Sequence, residues 1–251
     1  MENFLKTLKE TVNPATQAVG VNLIHDMAEL EGKKIRLQGK RLTICQQIAY
    51  GRMYGWSTCC DAQTAHCVLG AGCTGLIEAP QRVVDGVVNN GIYQQDQSAA
   101  ANMQQQMPKV DSDVAAVVTY PLARPVAGLV PDLVVIYMNT AQAMRMVQAF
   151  LYHEGGEFTM TSSGDAGVCS RGVAQVAISG EPTIEIPCLG DRRFAMAQDH
   201  ELLVGIPASW LERTAEALAA THKAGIRYPV PFQIPDSCDL PPTFITAEDD
   251  Y

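Results

Sequence analysis

Residues 58 to 67, "TCCDAQTAHC", place three cysteines and a histidine within ten positions. Thiolates and imidazole nitrogens are common protein ligands of zinc, and thiolates also hold iron–sulfur clusters. Cys59 and Cys60 are adjacent, so in an extended segment their side chains point to opposite sides and do not bind one ion together. The stretch alone therefore leaves three interpretations open: a metal site, a redox centre, or buried thiols that are neighbours in sequence.

Four cysteines along the chain share a different feature. Each follows a predicted strand or extended turn and precedes a predicted helix: Cys45, Cys67, Cys169 and Cys188. At such a position the free backbone N–H groups and the helix dipole favour a thiolate. Four thiolates at converging helix starts would suit a tetrahedral zinc ion or a cubane iron–sulfur cluster. The chain contains no Cys-x-x-Cys pair, so these residues can meet only through the fold.

The remaining cysteines and the nearby histidine carry weaker indications. Cys73 lies in a glycine-rich turn and Cys238 in the tail, and both are expected to be structural. His66 precedes Cys67 and is a possible ligand, but a single histidine is more often a turn or core residue.

The segment "CLGDRR" adds charged side chains beside a thiol. Arg192 and Arg193 could bind a carboxylate or phosphate, or offset the charge of an anionic cluster. The alternative is that Asp191 caps a helix and that both arginines are solvated or ion-paired. The residues by themselves do not decide between these two interpretations.

The elements that must position these residues are predicted from hydrophobic patterning. Residues 18–24, 114–122, 132–138 and 201–207 read as strands, and residues 33–44 contain another. Residues 140–156 and 208–225 read as helices, each closed by glycine. The Gln-rich segment 89–113 is either a helix over the surface or a flap. This alternation predicts an α/β or α+β protein with a mixed sheet and flanking helices.

An internal repeat is suggested by the order of elements in residues 41–80 and 133–187. Both segments run through a helix, a glycine stop, a short strand (157–163 in the second copy), a polar turn, a cysteine and a small-residue helix. We therefore expect a single domain over 1–251 that holds two similar, pseudo-symmetric halves. A Pro-rich tail, 228–251, is expected to wrap the surface or to dock on a neighbour.

The composition excludes several classes of protein. The net charge is −9 and the isoelectric point is about 5.0, which disfavours nucleic acid as the main partner because phosphate binding requires a basic face. No apolar run approaches the roughly 20 residues of a membrane helix, and the N-terminus lacks a secretion-signal pattern. We expect a cytoplasmic protein without membrane insertion. In that reducing compartment its eight cysteines are not expected to form structural disulfides.

Three segments, "DLVVIYMNTAQAMRMVQAFLYHEGG", "GVCSRGVAQVAISGEPTIEIPCLGDRRFA" and "LLVGIPASWLERTAEALAATHKAGIRYPVP", resemble the ArCR family of uncharacterised proteins, also called domain of unknown function 169. The resemblance covers nearly the whole chain. The cysteines that it carries over are the four singled out above: Cys45, Cys67, Cys169 and Cys188. Cys59, Cys60 and Cys73 depart from the family pattern. The family name implies no activity, but its occurrence in archaea and anaerobic bacteria implies oxygen-poor metabolism, in which iron–sulfur clusters are common.

From these observations we expect an iron–sulfur protein of anaerobic metabolism. A cluster, with [4Fe-4S] favoured and zinc as the alternative, is expected on those four cysteines with Arg192 beside it. The role would be electron transfer, with a redox protein partner or a second copy of the chain. Two other classes stay open. One is a metal-free small-molecule enzyme or carrier with a thiolate at Cys169 or Cys188 beside Arg192 and Arg193. The other is a non-catalytic partner subunit whose cysteines are merely packed.

Overall fold

One seven-stranded mixed sheet organises the computed structural model, which describes residues 1–230. Its strands are β1 (Val19–Ile24), β2 (Leu37–Gln38), β3 (Thr58–Asp61), β4 (Ala116–Pro121), β5 (Leu133–Asn139), β6 (Thr183–Glu185) and β7 (Glu201–Pro207). They lie in the order β2-β3-β4-β1-β5-β7-β6. β2 and β3 pair in parallel, and the other neighbours pair antiparallel. The predicted mixed sheet with flanking helices is confirmed.

The helices lie between and after these strands. They are α1 (Glu2–Thr11), α2 (Ile44–Ala49), α3 (Val68–Cys73), α4 (Gln81–Val84), α5 (Gln97–Gln106), α6 (Thr140–Leu151), α7 (Val176–Ser179), α8 (Leu189–Phe194) and α9 (Leu211–Lys223). Short 3-10 turns cover Met27–Leu30 and Ala208–Trp210. Two segments are π-helical: the first π-helix, Tyr50–Tyr54, continues α2, and the second π-helix, Gly167–Gln175, leads into α7.

The alternation of side chains along β5 explains how the sheet supports helices on both faces. Val135 and Tyr137 point to one face, where they join the core formed with α2, α3 and the second π-helix. Ile136 and Met138 point to the other face, where they join the core formed with α1, α6 and α9. Because all these positions are buried, β5 reads as a continuous apolar run in the sequence. The cysteines selected above belong to the first of these faces.

Side-chain caps fix where two of the helices begin. At α2 the hydroxyl of Thr43 accepts the Gln46 N–H at 3.0 Å, while the Gln46 side chain accepts the Thr43 N–H at 2.9 Å. At α6 the side chains of Asn139 and Gln142 make the same reciprocal pair. Such capping boxes satisfy backbone donors that a helix start leaves free. The box at α2 therefore sets the position of Cys45, the second residue of that helix.

Several local predictions need correction or stay open. The strand predicted at 157–163 is absent, because these residues have no regular structure, and of 33–44 only β2 is a strand. For the Gln-rich segment the sequence left a helix or a flap open, and the structure shows that it contains the helix α5. The internal repeat remains a prediction. The part of the predicted tail from residue 231 onward lies outside the described residues. Among residues 1–230, no helix has the length and apolarity that crossing a membrane requires.

The second π-helix lies unusually close to β7, and two glycines permit this approach. A Cβ on Gly205 would stand 2.6 Å from the carbonyl oxygen of Gly172 and 2.7 Å from a methyl group of Val176. A Cβ on Gly172 would stand 2.7 Å from a methyl group of Leu203. Interiors pack too densely to accept such overlaps without movement. These glycines therefore set the distance between the sheet and the segment that carries Cys169.

We predict that Gly205→Ala lowers the free energy of unfolding by about 1–3 kcal/mol, because the new methyl group forces the second π-helix off the sheet. Denaturant unfolding measures the change. Gly72→Ala is the matched control, since its Cβ would meet Ala79 at an ordinary 3.5 Å, and it should gain about 0.5–1 kcal/mol from its helical position. Equal stabilities of the two variants would contradict the close-packing argument.

Candidate functional site

The four cysteines predicted from the sequence converge on one face of the sheet. Cys45 is the second residue of α2, Cys67 and Cys188 directly precede α3 and α8, and Cys169 lies in the second π-helix. The sulfurs of Cys45 and Cys188 both lie within 3.8 Å of the place where a Cβ on Gly190 would stand. Two of the four sulfurs, from different segments of the chain, therefore lie at one place.

Electrostatic effects among these groups show the same convergence. The pKa of Cys45 lies well above its ordinary value, first because of burial and then because the negative charges of Asp191, Cys188 and Cys67 oppose ionisation. The pKa of Cys169 is also well above its ordinary value, owing to the hydrogen bond that its thiol donates to Cys73 and to burial, with Cys45 and Cys67 among the further contributors. Each thiol thus lies within the electrostatic reach of others from distant parts of the sequence.

Asp191 lies at the centre of the site and is fully buried. Its Oδ1 accepts the thiol of Cys45 at 3.6 Å, and its Oδ2 accepts the N–H groups of Cys188 and Val168, both at 3.1 Å. Burial nevertheless raises the pKa of this carboxyl above its usual range. Gly167 is required beside it, because a Cβ there would overlap the carboxylate. The sequence interpretation of Asp191 as a helix cap is confirmed, and the cap also joins two cysteine-bearing segments.

Backbone N–H groups point at the sulfur of Cys188. The N–H groups of Gly167 and Asp191 both donate to it, which favours a charged sulfur. Burial and the negative charge of Asp191 outweigh these bonds and raise the pKa of Cys188 to about 12. The expectation that a helix start favours a thiolate is therefore wrong for Cys188 in the metal-free protein, because burial and the charge of Asp191 exceed the effect of a few N–H groups.

Cys73, predicted from the sequence to be structural, belongs to the same group of sulfurs. Its thiol is buried and receives the hydrogen bond from Cys169. That bond, the nearby ammonium of Lys109 and a hydrogen bond from Ser170 lower the pKa of Cys73, against the opposing effect of burial. No spacing in the sequence signals this contact, since it depends on how α3 packs against the second π-helix.

Two buried hydrogen-bond donors beneath the cysteines lack partners within residues 1–230. They are the hydroxyl of Tyr137 and Nη1 of Arg52. The guanidinium of Arg52 lies 4.1 Å from the centre of the Tyr137 ring, and its Nη2 donates to Glu201 at 2.6 Å. Burial and the charges of Asp191 and Cys45 raise the pKa of Tyr137 well above its ordinary value. A buried donor without an acceptor costs about 1–3 kcal/mol, so these groups call for an explanation at a functional site.

A loop before α5 closes over the cysteines from the solvent side. Asn89 is buried and donates to the carboxylate of Asp165 at 2.7 Å. Tyr93 is partly exposed, and the pKa of its hydroxyl is raised by burial and then by the charges of Asp165, Cys188 and Cys67. Cys45 and Cys67 are only half-buried, whereas Cys169 and Cys188 are buried. The site therefore lies just beneath the surface at this loop.

The other residues considered in the sequence lie apart from the four cysteines. Cys59 packs into a separate core with Val118 and Tyr120, and the thiol of Cys60 donates to backbone carbonyls of residues 40 and 42. Cys238 lies outside the described residues. Arg192 donates to the Gln198 carbonyl at 3.1 Å and to Asp199 at 3.3 Å. This is the solvated, ion-paired arrangement that the sequence left open for the arginine.

No group of three or more His, Cys, Asp or Glu side chains within residues 1–230 is arranged closely enough to hold a metal ion in this structure. All seven cysteines of this part of the chain are free thiols. What the structure shows is thus a group of thiols from several segments near a buried carboxylate, with the N–H groups of Gly167 and Asp191 donating to the sulfur of Cys188.

Comparison with known proteins places the chain among uncharacterised relatives. The sequence model of domain of unknown function 169, described as uncharacterised ArCR, matches residues 7–217. An uncharacterised protein of Methanocaldococcus jannaschii, MJ0308, is 33% identical over 123 residues, which make up 49% of this chain and 52% of that protein. The chain thus spans about half the length of this curated relative. No solved structure matches the chain significantly.

The raised pKa of Cys188 predicts how the stability of the metal-free protein depends on pH. The folded state holds this thiol proton up to about pH 12, whereas an unfolded thiol loses it near pH 8.5. The stabilisation is therefore complete below about pH 8.5 and is lost as the pH rises towards the folded value, by up to about 1.4 kcal/mol per pH unit. We predict that Cys188→Ala makes the decline of the unfolding free energy above pH 9 shallower by up to that amount.

Denaturant unfolding with a chelator and a reductant at several pH values measures this dependence. Wild-type protein under the same conditions is the reference. Parallel pH curves for the wild type and Cys188→Ala would contradict the assignment of a buried, protonated thiol.

Proposed function

The chain belongs to the uncharacterised ArCR family, domain of unknown function 169, and from its own residues we propose that it holds an iron–sulfur cluster and takes part in electron transfer. The proposed ligands are Cys45, Cys67, Cys169 and Cys188. The observation that carries the proposal is that these four thiols, from four segments spread over the chain, lie within electrostatic reach of one another, with Asp191 in contact with Cys45 and Cys188. Four cysteine thiolates are the usual protein ligands of [2Fe-2S] and [4Fe-4S] clusters.

The chemistry of the donor set fits such a group. Burial and then the negative charge of Asp191 raise the pKa values of Cys45 and Cys188, and the nearby thiolates of Cys188 and Cys67 would raise that of Cys45 further. A metal cation removes that penalty because it binds thiolates and displaces their protons.

The unpartnered donors beneath the cysteines also fit a bound cluster. Within residues 1–230 the hydroxyl of Tyr137 and Nη1 of Arg52 are buried without an acceptor, and the N–H groups of Gly167 and Asp191 already point at the sulfur of Cys188. Hydrogen bonds to the sulfurs, net charge and solvent exposure set the reduction potential of an iron–sulfur centre. When bound, the cluster would supply one-electron redox chemistry; these residues would orient its ligands and provide donors to its negative charge.

The location of the site suits exchange of electrons with a partner. Cys45 and Cys67 are half-buried, so the site is close to the surface without being open to bulk water. The cytoplasmic, anaerobic setting expected from the sequence would keep the thiols reduced and is part of the proposal. A redox protein or a second copy of the chain is the proposed partner, and [4Fe-4S] is the favoured cluster, with zinc as the alternative occupant.

The rival in which Cys169 or Cys188 is a nucleophile finds less support. Burial is a major cause of the raised pKa of each, so both sulfurs are protonated at neutral pH in the metal-free protein. Arg192, the expected activating cation, is engaged by Asp199 and the Gln198 carbonyl. A reactive cysteine needs an electropositive, accessible setting, which neither sulfur has.

We predict that protein purified without oxygen contains stoichiometric iron and inorganic sulfide, with the broad visible absorption of an iron–sulfur centre. Cys169→Ala should reduce bound iron at least about tenfold, because removal of a ligand harms affinity no less than loss of an outer-shell partner. Elemental analysis and visible spectroscopy measure both.

Cys59→Ala is the matched control, since Cys59 is a buried cysteine packed in a different core, and it should keep its iron. Colourless, iron-free wild-type protein would contradict the proposal. Zinc in place of iron would retain the ligand set and overturn the electron-transfer role.

A further inference from the structure

An aromatic pocket opens beside the cysteine site. It has a volume of about 420 Å³, and its lining includes Tyr50, Tyr54, Trp56, Phe194 and Met196. Tyr54, Phe194 and Met196 are exposed. Aromatic side chains left in solvent around a concavity are typical of ligand-binding sites rather than of ordinary surface.

The pocket has two walls from different segments. One wall is built by Tyr50, Tyr54 and Trp56, whose ring centres lie 5.4 to 5.9 Å apart, with Tyr50 and Trp56 stacked nearly parallel at 7°. The other is built by Phe194 and Met196 at the end of α8 and just after it. Flat rings and a polarisable thioether favour a flat aromatic ligand, which gains stacking energy on such surfaces.

The same segments carry both the pocket and the cysteine site. Gln46, which lines the pocket, directly follows Cys45 in α2, and α8, which follows Cys188, ends at Phe194. The first π-helix directs Arg52 inward onto Tyr137 and contributes Tyr50 and Tyr54 to the pocket. π-helical turns are rare and occur frequently at functional sites.

Positive charge borders the pocket in a protein whose net charge is −9. The guanidinium of Arg36 lies 3.8 Å from the centre of the Trp56 ring, and that of Arg193 lies 5.9 Å from the centre of the Phe194 ring. Both side chains belong to exposed residues. Guanidinium groups at the rim of an aromatic pocket are suited to hold a phosphate or carboxylate attached to the bound ring.

We propose that this pocket binds a planar aromatic heterocycle that carries an anionic group, of the flavin mononucleotide type. The ligand rings would stack on the exposed rings of Tyr54 and Phe194. Trp56 already stacks on Tyr50 and carries the Arg36 guanidinium over its ring, so it supports this wall. The anionic group would lie at Arg36 and Arg193. A ligand in this place would contact Gln46, which directly follows Cys45. Any exchange of electrons between this ligand and the proposed cluster rests on the proposed function, whereas binding of the ligand to the pocket does not.

Equilibrium dialysis with flavin mononucleotide, riboflavin and inorganic phosphate tests the proposal on the full chain. We expect saturable one-to-one binding of flavin mononucleotide, weaker binding of riboflavin, and no measurable binding of phosphate alone. Trp56→Ala should weaken flavin mononucleotide binding about tenfold because it removes the ring that supports Tyr50 and Tyr54, while Trp56→Phe should keep most of the affinity.

Charge variants separate the two parts of the ligand. Arg36→Gln and Arg193→Gln should weaken binding of flavin mononucleotide and leave that of riboflavin unchanged. Tyr152→Ala is the matched control, since Tyr152 is also an exposed aromatic residue but follows α6 on the other side of the sheet, and it should bind as the wild type does.

No saturable binding of either flavin, or equal binding by wild type and Trp56→Ala, would overturn the proposal. Saturable binding of a protein at this face, with no binding of either flavin, would overturn it as well.

Iron measured in the same samples keeps the two proposals distinct. Iron-replete protein without flavin binding counts against the pocket alone, and Trp56-dependent flavin binding in iron-free protein counts against the cluster alone.

Discussion

The buried carboxylate of Asp191 is the interaction on which the site depends. It accepts hydrogen bonds from Cys45 in α2, from Val168 in the second π-helix and from Cys188 at the start of α8. These segments are far apart in sequence, and one carboxylate fixes their relative positions. Because the group is fully buried, each lost hydrogen bond would leave an unsatisfied polar atom in a medium that stabilises charge poorly.

The sheet supplies the frame for this arrangement, and close packing supplies its precision. β7 accepts the second π-helix only because Gly205 and Gly172 face each other without side chains. The capping box at Thr43 fixes the start of α2. Beneath the cysteines, the ion pair of Arg52 with Glu201 places positive charge against the Tyr137 ring. Close packing and buried charge thus occur together on one face of the sheet, and buried charge is common where a protein does chemistry.

Part of this structure follows from the sequence and part does not. Strong local patterns predict β4, β5, β7, α6 and α9, and the passage from extended chain to helix selects Cys45, Cys67, Cys169 and Cys188. The contact of Cys73 with Cys169 and the inward direction of Arg52 depend on tertiary packing, which no local pattern encodes. The place of Cys188 before α8 predicts a lowered thiol pKa, but the pKa is raised because burial opposes the helix-start effect and exceeds it.

The central claim is that the four cysteines are ligands of one iron–sulfur centre. The most direct measurement is diffraction from crystals grown without oxygen, with data collected on both sides of the iron absorption edge. The account predicts an anomalous iron peak bonded to the sulfurs of Cys45, Cys67, Cys169 and Cys188. An electron density map with these four sulfurs resolved and no iron peak within bonding distance of them would contradict it.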